Sequence, residues 1–129
     1  MGEKIIEVSR GSFWIDTARH LDDSFGDYDI KIKITGELGI DYGGVTREWL
    51  SLIVKEVLDP RLGLFELNAN GLAFQPSRFS YLVPNHLETF HKFGILVGKA
   101  MKENWLLELN LTKSFLKHML GALLYVEDL

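Results

Sequence analysis

The run from Tyr28 to Leu58 constrains this chain more than any other, because three backbone regimes follow one another in it without a gap. Tyr28, Ile30, Ile32 and Ile34 alternate with Asp29, Lys31, Lys33 and Thr35. Period-two alternation of this kind puts every apolar side chain on one face of a strand and every polar one on the other. Residues 36–44 then read Gly-Glu-Leu-Gly-Ile-Asp-Tyr-Gly-Gly, four glycines in nine positions, which is a loop. The period next becomes helical. Val45, Trp49, Leu52, Ile53 and Val57 share one face of a helix from about Val45 to Leu58, and Asp59-Pro60 stops it. A strand and a helix that each have one apolar face require a common core, and 129 residues are enough for one domain that builds it.

The flanking segments supply further elements. Residues 5–8 form a short strand or an incoming arm. Ser12 is placed to cap a short helix bearing Phe13, Trp14, Thr17, Ala18 and Leu21, with 14, 17, 18 and 21 as its apolar stripe. Residues 22–27 read as a loop. Leu64–Leu67 and Leu72–Gln75 flank Asn68-Ala69-Asn70-Gly71, and the Asn-Gly pair suits the positive φ angles of a hairpin turn. Phe79 and Tyr81 are aromatic anchors in the connection that follows. Asn85, with Glu88 three residues on, predicts a capped helix running to about Glu103. A last helix is expected from Thr112 to Leu120, closed by Gly121. The fold class expected is α+β, predominantly helical with a few short strands and a β-hairpin, in one compact unit over residues 1–129. Trp49, Phe90, Val97, Phe115 and Leu116 are its expected core.

Composition excludes several functions. The chain has no cysteine, so disulfides, thiolate zinc sites and thiol nucleophiles are ruled out. A net charge of −4, with the cations scattered, argues against general nucleic-acid binding. No apolar run approaches the ~18 residues of a membrane helix, and the amino end has no secretory pattern. The reading is an intracellular protein, cytoplasmic or nuclear. His86 and His91 are five apart and fall on different helix faces, and no serine stands in a Gly-x-Ser-x-Gly elbow. No metal and no cofactor are expected.

Two glycine-bearing features remain. Gly94 and Gly98 are spaced to let a neighbouring element approach the long helix closely. Loop 36–44 precedes a helix N-terminus, which favours anions, but Glu37 and Asp41 inside it would repel phosphate, so a structural turn is expected. In Gly43-Gly44-Val45-Thr46-Arg47-Glu48-Trp49, Glu48 suits the positive end of the helix dipole and Arg47 does not. Arg47 should therefore have a carboxylate partner, with Glu37 and Asp41 the nearest candidates, in a latch that fixes the loop on the helix.

Residues 36–49, Gly-Glu-Leu-Gly-Ile-Asp-Tyr-Gly-Gly-Val-Thr-Arg-Glu-Trp, closely resemble the "GE-x-G-x-D-x-GG-[LV]-x-REW" signature near the start of HECT-type ubiquitin-ligase domains. Ile6-Glu7-Val8-Ser9-Arg10 resembles that family's opening, and Asp59-Pro60 with Gly63-Leu64-Phe65 resembles its "NP-x-x-GLF". Pro84-Asn85-His86-Leu87, Phe90, Phe93-Gly94 and Gly98-Lys99-Ala100 resemble its long helix, and Leu106-Leu107 and Phe115–Gly121 continue the likeness.

The resemblance implies a two-lobed transferase. Its N-terminal lobe docks a ubiquitin-conjugating enzyme, and its C-terminal lobe carries a cysteine that accepts ubiquitin as a thioester and passes it to a substrate lysine. This chain is similar to the first part of the N-terminal lobe only. The apolar ending over 121–129 suggests truncation at the C-terminal end. Gly36, Glu37, Asp41, Gly43, Gly44, Arg47, Glu48 and Trp49 are then structural signature residues, and no residue is catalytic. Some family members bind a second ubiquitin non-covalently around the hairpin matching Leu64–Gln75, which implies contacts at Leu67, Asn70, Leu72 and Phe74. The implied partners are the rest of the HECT domain and, through the parent protein, ubiquitin and its conjugating enzyme. The alternative is a non-catalytic HECT-like module that binds ubiquitin or another protein.

Overall fold

The computed structural model describes residues 2–37, 44–67, 69 and 74–105. In chain order the elements are β1 (Glu3–Val8), α1 (Phe13–Ala18), a 3-10 turn (Phe25–Asp27), β2 (Asp29–Ile34) and α2 (Gly44–Leu58). A second 3-10 turn (Pro60–Leu62), β3 (Phe65–Leu67), β4 (Phe74–Pro76), a third 3-10 turn (Ser80–Leu82) and α3 (His86–Lys102) follow. Helices and short strands mix in an α+β arrangement.

The alternation after Tyr28 is realised in β2. Ile30, Ile32 and Ile34 are all buried, whereas Tyr28 falls just before the strand and is only half-buried, with the Lys4 ammonium 5.7 Å from its ring. Residues 5–8 belong to a true strand. It pairs in parallel with β2, from Glu3↔Asp29 to Val8↔Ile34, so Ile6 and Val8 join the isoleucines on one face. A parallel pair needs a crossover connection, and α1 with its flanking turns supplies it. Helix α2 packs on β2, and α1 packs on both β1 and α2. Each fully buried isoleucine contributes about 1.5–3 kcal/mol relative to exposure.

Helix α2 buries Trp49, Leu50, Ile53, Val57 and Leu58, and α3 buries Phe90, Phe93, Leu96, Val97 and Ala100. Phe65 of β3 packs edge-on against α3, with ring centroids 5.2 Å from Phe90 and 5.8 Å from Phe93. The three core choices within the described residues, Trp49, Phe90 and Val97, are buried; Phe115 and Leu116 lie outside them. So do the expected helix 112–120 and the apolar ending 121–129. The two strands pair antiparallel, Leu67 opposite Phe74, while Asn68, Asn70 and Gly71, where the turn is expected, lie outside the described residues.

Several local expectations are corrected. Helix α1 buries Phe13 and Thr17, an i, i+4 pair, and stops at Ala18, so Leu21 reaches the core from the following turn. Ser12 sits at the N-cap without a side-chain cap bond; its hydroxyl donates to the Ser9 carbonyl and to Asp16. Asn85 does not cap with its side chain either. It adopts φ 58°, the left-handed region that asparagine tolerates, and Glu88 pairs with Lys92 in place of closing a capping box. Gly98 meets no close neighbour: a Cβ there would find open space. A buried α3 residue beside it, Lys99, does make a distant polar contact. It is 5% exposed, and its ammonium donates to the Gly26 carbonyl (3.2 Å) and to Glu103 (2.9 Å). No helix among the described residues is long and apolar enough to cross a membrane.

Candidate functional site

The signature residues meet the start of the chain. Gly36 turns the backbone after β2 at φ +84°, a conformation that favours glycine. Glu37 follows, and its carboxylate is gripped at both oxygens by Arg10, Nε to Oε2 at 2.8 Å and Nη2 to Oε1 at 3.1 Å. The third guanidinium nitrogen, Nη1, donates to Glu48 on α2. One planar cation from the β1–α1 turn thus joins the end of β2 to α2, a geometry that the fixed fork of arginine suits. The two carboxylates raise the Arg10 pKa, Glu37 first, and Arg10 in turn holds Glu37 below its usual range. All three side chains are about half exposed, so the arrangement fixes geometry more than it stabilises the fold.

The Glu37 half of the latch expected around Arg47 therefore has a different cation. Glu37 goes to Arg10, and Arg47 is exposed with no ion-pair partner among the described residues. Glu48 lies beyond the first turn of α2, since the helix starts at Gly44, and it also serves Arg10 and not the helix end. Asp41 and Gly43 lie outside the described residues. Trp49 is where the sequence pattern puts it, fully buried, with its indole Nε1–H donating to the Thr17 hydroxyl (2.9 Å) and its ring edge-on to Trp105 at 5.8 Å.

A second carboxylate organises the same turn. Asp16 accepts the Ser9 amide (2.8 Å) and the Ser12 hydroxyl (3.0 Å), and these bonds hold its pKa below the ordinary value. Glu56 of α2 accepts the Trp14 amide at 3.3 Å. Beside them, an open groove of about 420 Å³ runs between α1 and α2 over Phe13 and Leu52, rimmed by Arg10, Lys55, Glu56 and Asp59. Arg10, Thr17 and Asp16 had no assigned role from sequence. The signal for Arg10 was present, since it closes the Ile6–Arg10 opening that resembles the family's own. Thr17 carried no signal beyond its place on a helical stripe.

Of the residues implied in a ubiquitin contact, Leu67 is 48% exposed and Phe74, opposite it, is half-buried. Asn70 and Leu72 lie outside the described residues. No cluster of histidine, aspartate and glutamate able to hold a metal occurs among the described residues. His20 has its pKa lowered by burial, then by the nearby Lys4 and Arg19, with the Asp22 carboxylate opposing them. Chemically, the site positions backbone: four carboxylates and one guanidinium tie a strand end, a turn and two helices together.

Such a scaffold, a strand and a helix clasped by buried and surface polar bonds, is the class of protein that the fold defines. The comparisons with known proteins give its family. The family model described as HECT-domain (ubiquitin-transferase) matches residues 51–129. The E3 ubiquitin-protein ligase ptr1 of Schizosaccharomyces pombe is 34% identical over 131 aligned residues, covering 96% of this chain and 4% of that protein. The E3 ubiquitin-protein ligase HACE1 of Homo sapiens is 36% identical over 99 residues, 77% of this chain and 11% of that one. The E3 ubiquitin-protein ligase UPL1 of Arabidopsis thaliana is 37% identical over 100 residues, 78% of this chain and 3% of that one. The chain belongs to the HECT-domain family. It spans a small fraction of the length of these relatives, 4% for the first.

Proposed function

We propose that this chain is the scaffold portion of a HECT-type E3 ubiquitin transferase, equivalent to the first part of the N-terminal lobe, and that it contains none of the transfer chemistry. In the parent protein, ubiquitin passes from a conjugating enzyme to a cysteine thioester and then to a substrate lysine. Residues 1–129 act in this reading as one structural unit that supports those steps. The observation that carries the proposal is the HECT match over residues 51–129 in a chain with no cysteine. The polar network agrees with it, since Arg10, Asp16, Glu37 and Glu48 are all occupied in holding backbone elements together. Gly36, Glu37, Asp41, Gly43, Gly44, Arg47, Glu48 and Trp49 are structural in this reading, with the exposed Arg47 set to meet a neighbouring part of the parent domain.

The test has two arms. The purified chain mixed with ubiquitin-charged conjugating enzyme should give no thiol-sensitive ubiquitin adduct. A chimera in which this chain replaces the corresponding stretch of the fission-yeast relative should form the thioester on the relative's own cysteine. An adduct on the isolated chain, or a folded chimera that cannot be charged, would overturn the proposal. The exposed Leu67 beside Phe74 supports a weak non-covalent ubiquitin contact at the hairpin as a second reading. Titration with labelled ubiquitin should then shift the Leu67 amide, and an unmoved hairpin rules this contact out.

A further inference from the structure

The outer edge of β1 is uncovered among the described residues, where the sheet consists of β1 and β2 alone. The Asp29 amide donates to the Gly2 carbonyl (3.1 Å) and the Thr35 amide to the Val8 carbonyl (2.8 Å). With the register Glu3↔Asp29, these bonds turn the even-numbered residues of β1 towards β2. The backbone N–H and C=O groups of Glu3, Ile5 and Glu7 therefore point away from it. All three residues are exposed, Ile5 by 50%. The far edge of β2 is different, because its outward residues Ile30, Ile32 and Ile34 are buried. An exposed strand with a row of unpaired donors and acceptors is a template for another strand.

The side chains decide which strand fits. Glu3, Ile5 and Glu7 lie on the solvent side of the sheet, since Ile6 and Val8 take the opposite side into the core. Glu3 has no ion-pair partner among the described residues. Glu7 accepts one long bond from the Thr35 hydroxyl (3.3 Å) and makes no ion pair with Lys33 opposite it. Lys31, further along, is paired with Asp29. A second copy of β1 is a poor occupant, because antiparallel pairing centred on Ile5 would set Glu3 against Glu7 twice. Like charges directly opposite destabilise a ladder, and opposite charges support it.

We propose that the outer edge of β1 accepts an extended segment of another protein as a third strand, with basic side chains two positions either side of an apolar one. The pattern basic-x-apolar-x-basic reads the same in both directions, so it serves parallel or antiparallel addition. The test uses this 129-residue chain and two blocked fluorescent peptides, Thr-Lys-Thr-Val-Thr-Lys-Thr and its counterpart with Glu for Lys. At low salt the basic peptide should bind about tenfold tighter, as two cross-strand charge pairs switch from attraction to repulsion. N-methylation of both its central valine and the threonine that follows should abolish binding, because either strand direction turns one of these two amides towards β1, and the amides of Glu3, Ile5 and Glu7 should shift on titration. The double variant Glu3→Lys, Glu7→Lys should reverse the peptide preference. Ile5→Pro removes only an outward N–H and should abolish binding of both peptides while the melting temperature is largely kept. Equal affinity for the two peptides, no saturable binding, or indifference to N-methylation overturns the proposal. So does a dimer of the native chain that Ile5→Pro converts to monomer, which would make a second copy the occupant.

Discussion

The indole N–H of Trp49 has one acceptor, the hydroxyl of Thr17, and both groups are wholly removed from water. Thr17→Val keeps the shape and deletes the acceptor, leaving a buried donor unsatisfied. The expected loss is about 1–3 kcal/mol, read from urea unfolding followed by Trp fluorescence, with the midpoint falling at unchanged slope. Stability equal to that of the native chain would mean that the indole finds another acceptor. Asp16 makes a pH prediction. Its folded pKa lies below the 3.8 of a free aspartate because it accepts the Ser9 amide, then the Ser12 hydroxyl, and Glu37 lies below 4.5 because of Arg10. A depressed acid contributes stability that is complete above its unfolded pKa and disappears as pH falls through the folded value. Melting temperature should therefore hold from neutral pH to about pH 5 and drop in the acid range below. Asp16→Asn, which cannot titrate, should show a shallower acid drop from a lower starting point. Parallel curves for the two proteins would count against this account. Neither residue stood out in the sequence, because an aspartate four positions after a serine has many uses and a threonine hydroxyl has no periodicity.

At the level of elements, periodicity was the legible quantity and local polar geometry was not. Alternation located β2 and helical spacing located α2 and α3 within a residue or so, because both signals report a buried face and burial dominates the energetics. The parallel partnership of β1 with β2 was not readable, since pairing depends on how a crossover folds back and not on either strand alone. The clasp was half legible: its carboxylates, Glu37 and Glu48, lie in the signature, but its cation lies 27 residues before Glu37 in the chain. Asn85 shows the opposite failure, for its identity pointed to a cap while the backbone uses its tolerance of positive φ. Gly98 separates two explanations of one residue. A close approach to the helix would make any larger residue destabilising, whereas the open space around it leaves only glycine's helix cost. Gly98→Ala should thus stabilise α3 by about 0.5–1 kcal/mol, observed as a raised chemical-denaturation midpoint. A loss of stability would restore the packing role.

Across the whole molecule, one apolar cluster joins both β1 and β2 to α2, β3 and α3, so the described residues share a core and should unfold together. What that core leaves outside is unevenly distributed. Phe79 is 56% exposed, Tyr81 63%, Leu82 68% and Leu87 62%, all within nine consecutive residues spanning the third 3-10 turn and the first turn of α3. Singly exposed apolar side chains are ordinary, but a strip of four along so short a stretch of chain points to a surface that works against another surface. In a scaffold of a larger ligase the neighbour would be another part of the parent. The consequence for the chain by itself is testable without knowing that neighbour. Replacing Leu82 by Gln and Leu87 by Glu removes the two most exposed leucines of the strip, and the new acid falls in the first turn of α3, where the helix dipole favours it. Binding of an apolar fluorescent dye should fall by about half or more, since these leucines hold much of the strip's apolar area. Stability should change by no more than about 0.5 kcal/mol, as for substitutions at solvent-facing positions. Unaltered dye binding would place the apolar surface elsewhere. A collapse in melting temperature would mean that the leucines belong to the core, and the strip would then have no surface to offer.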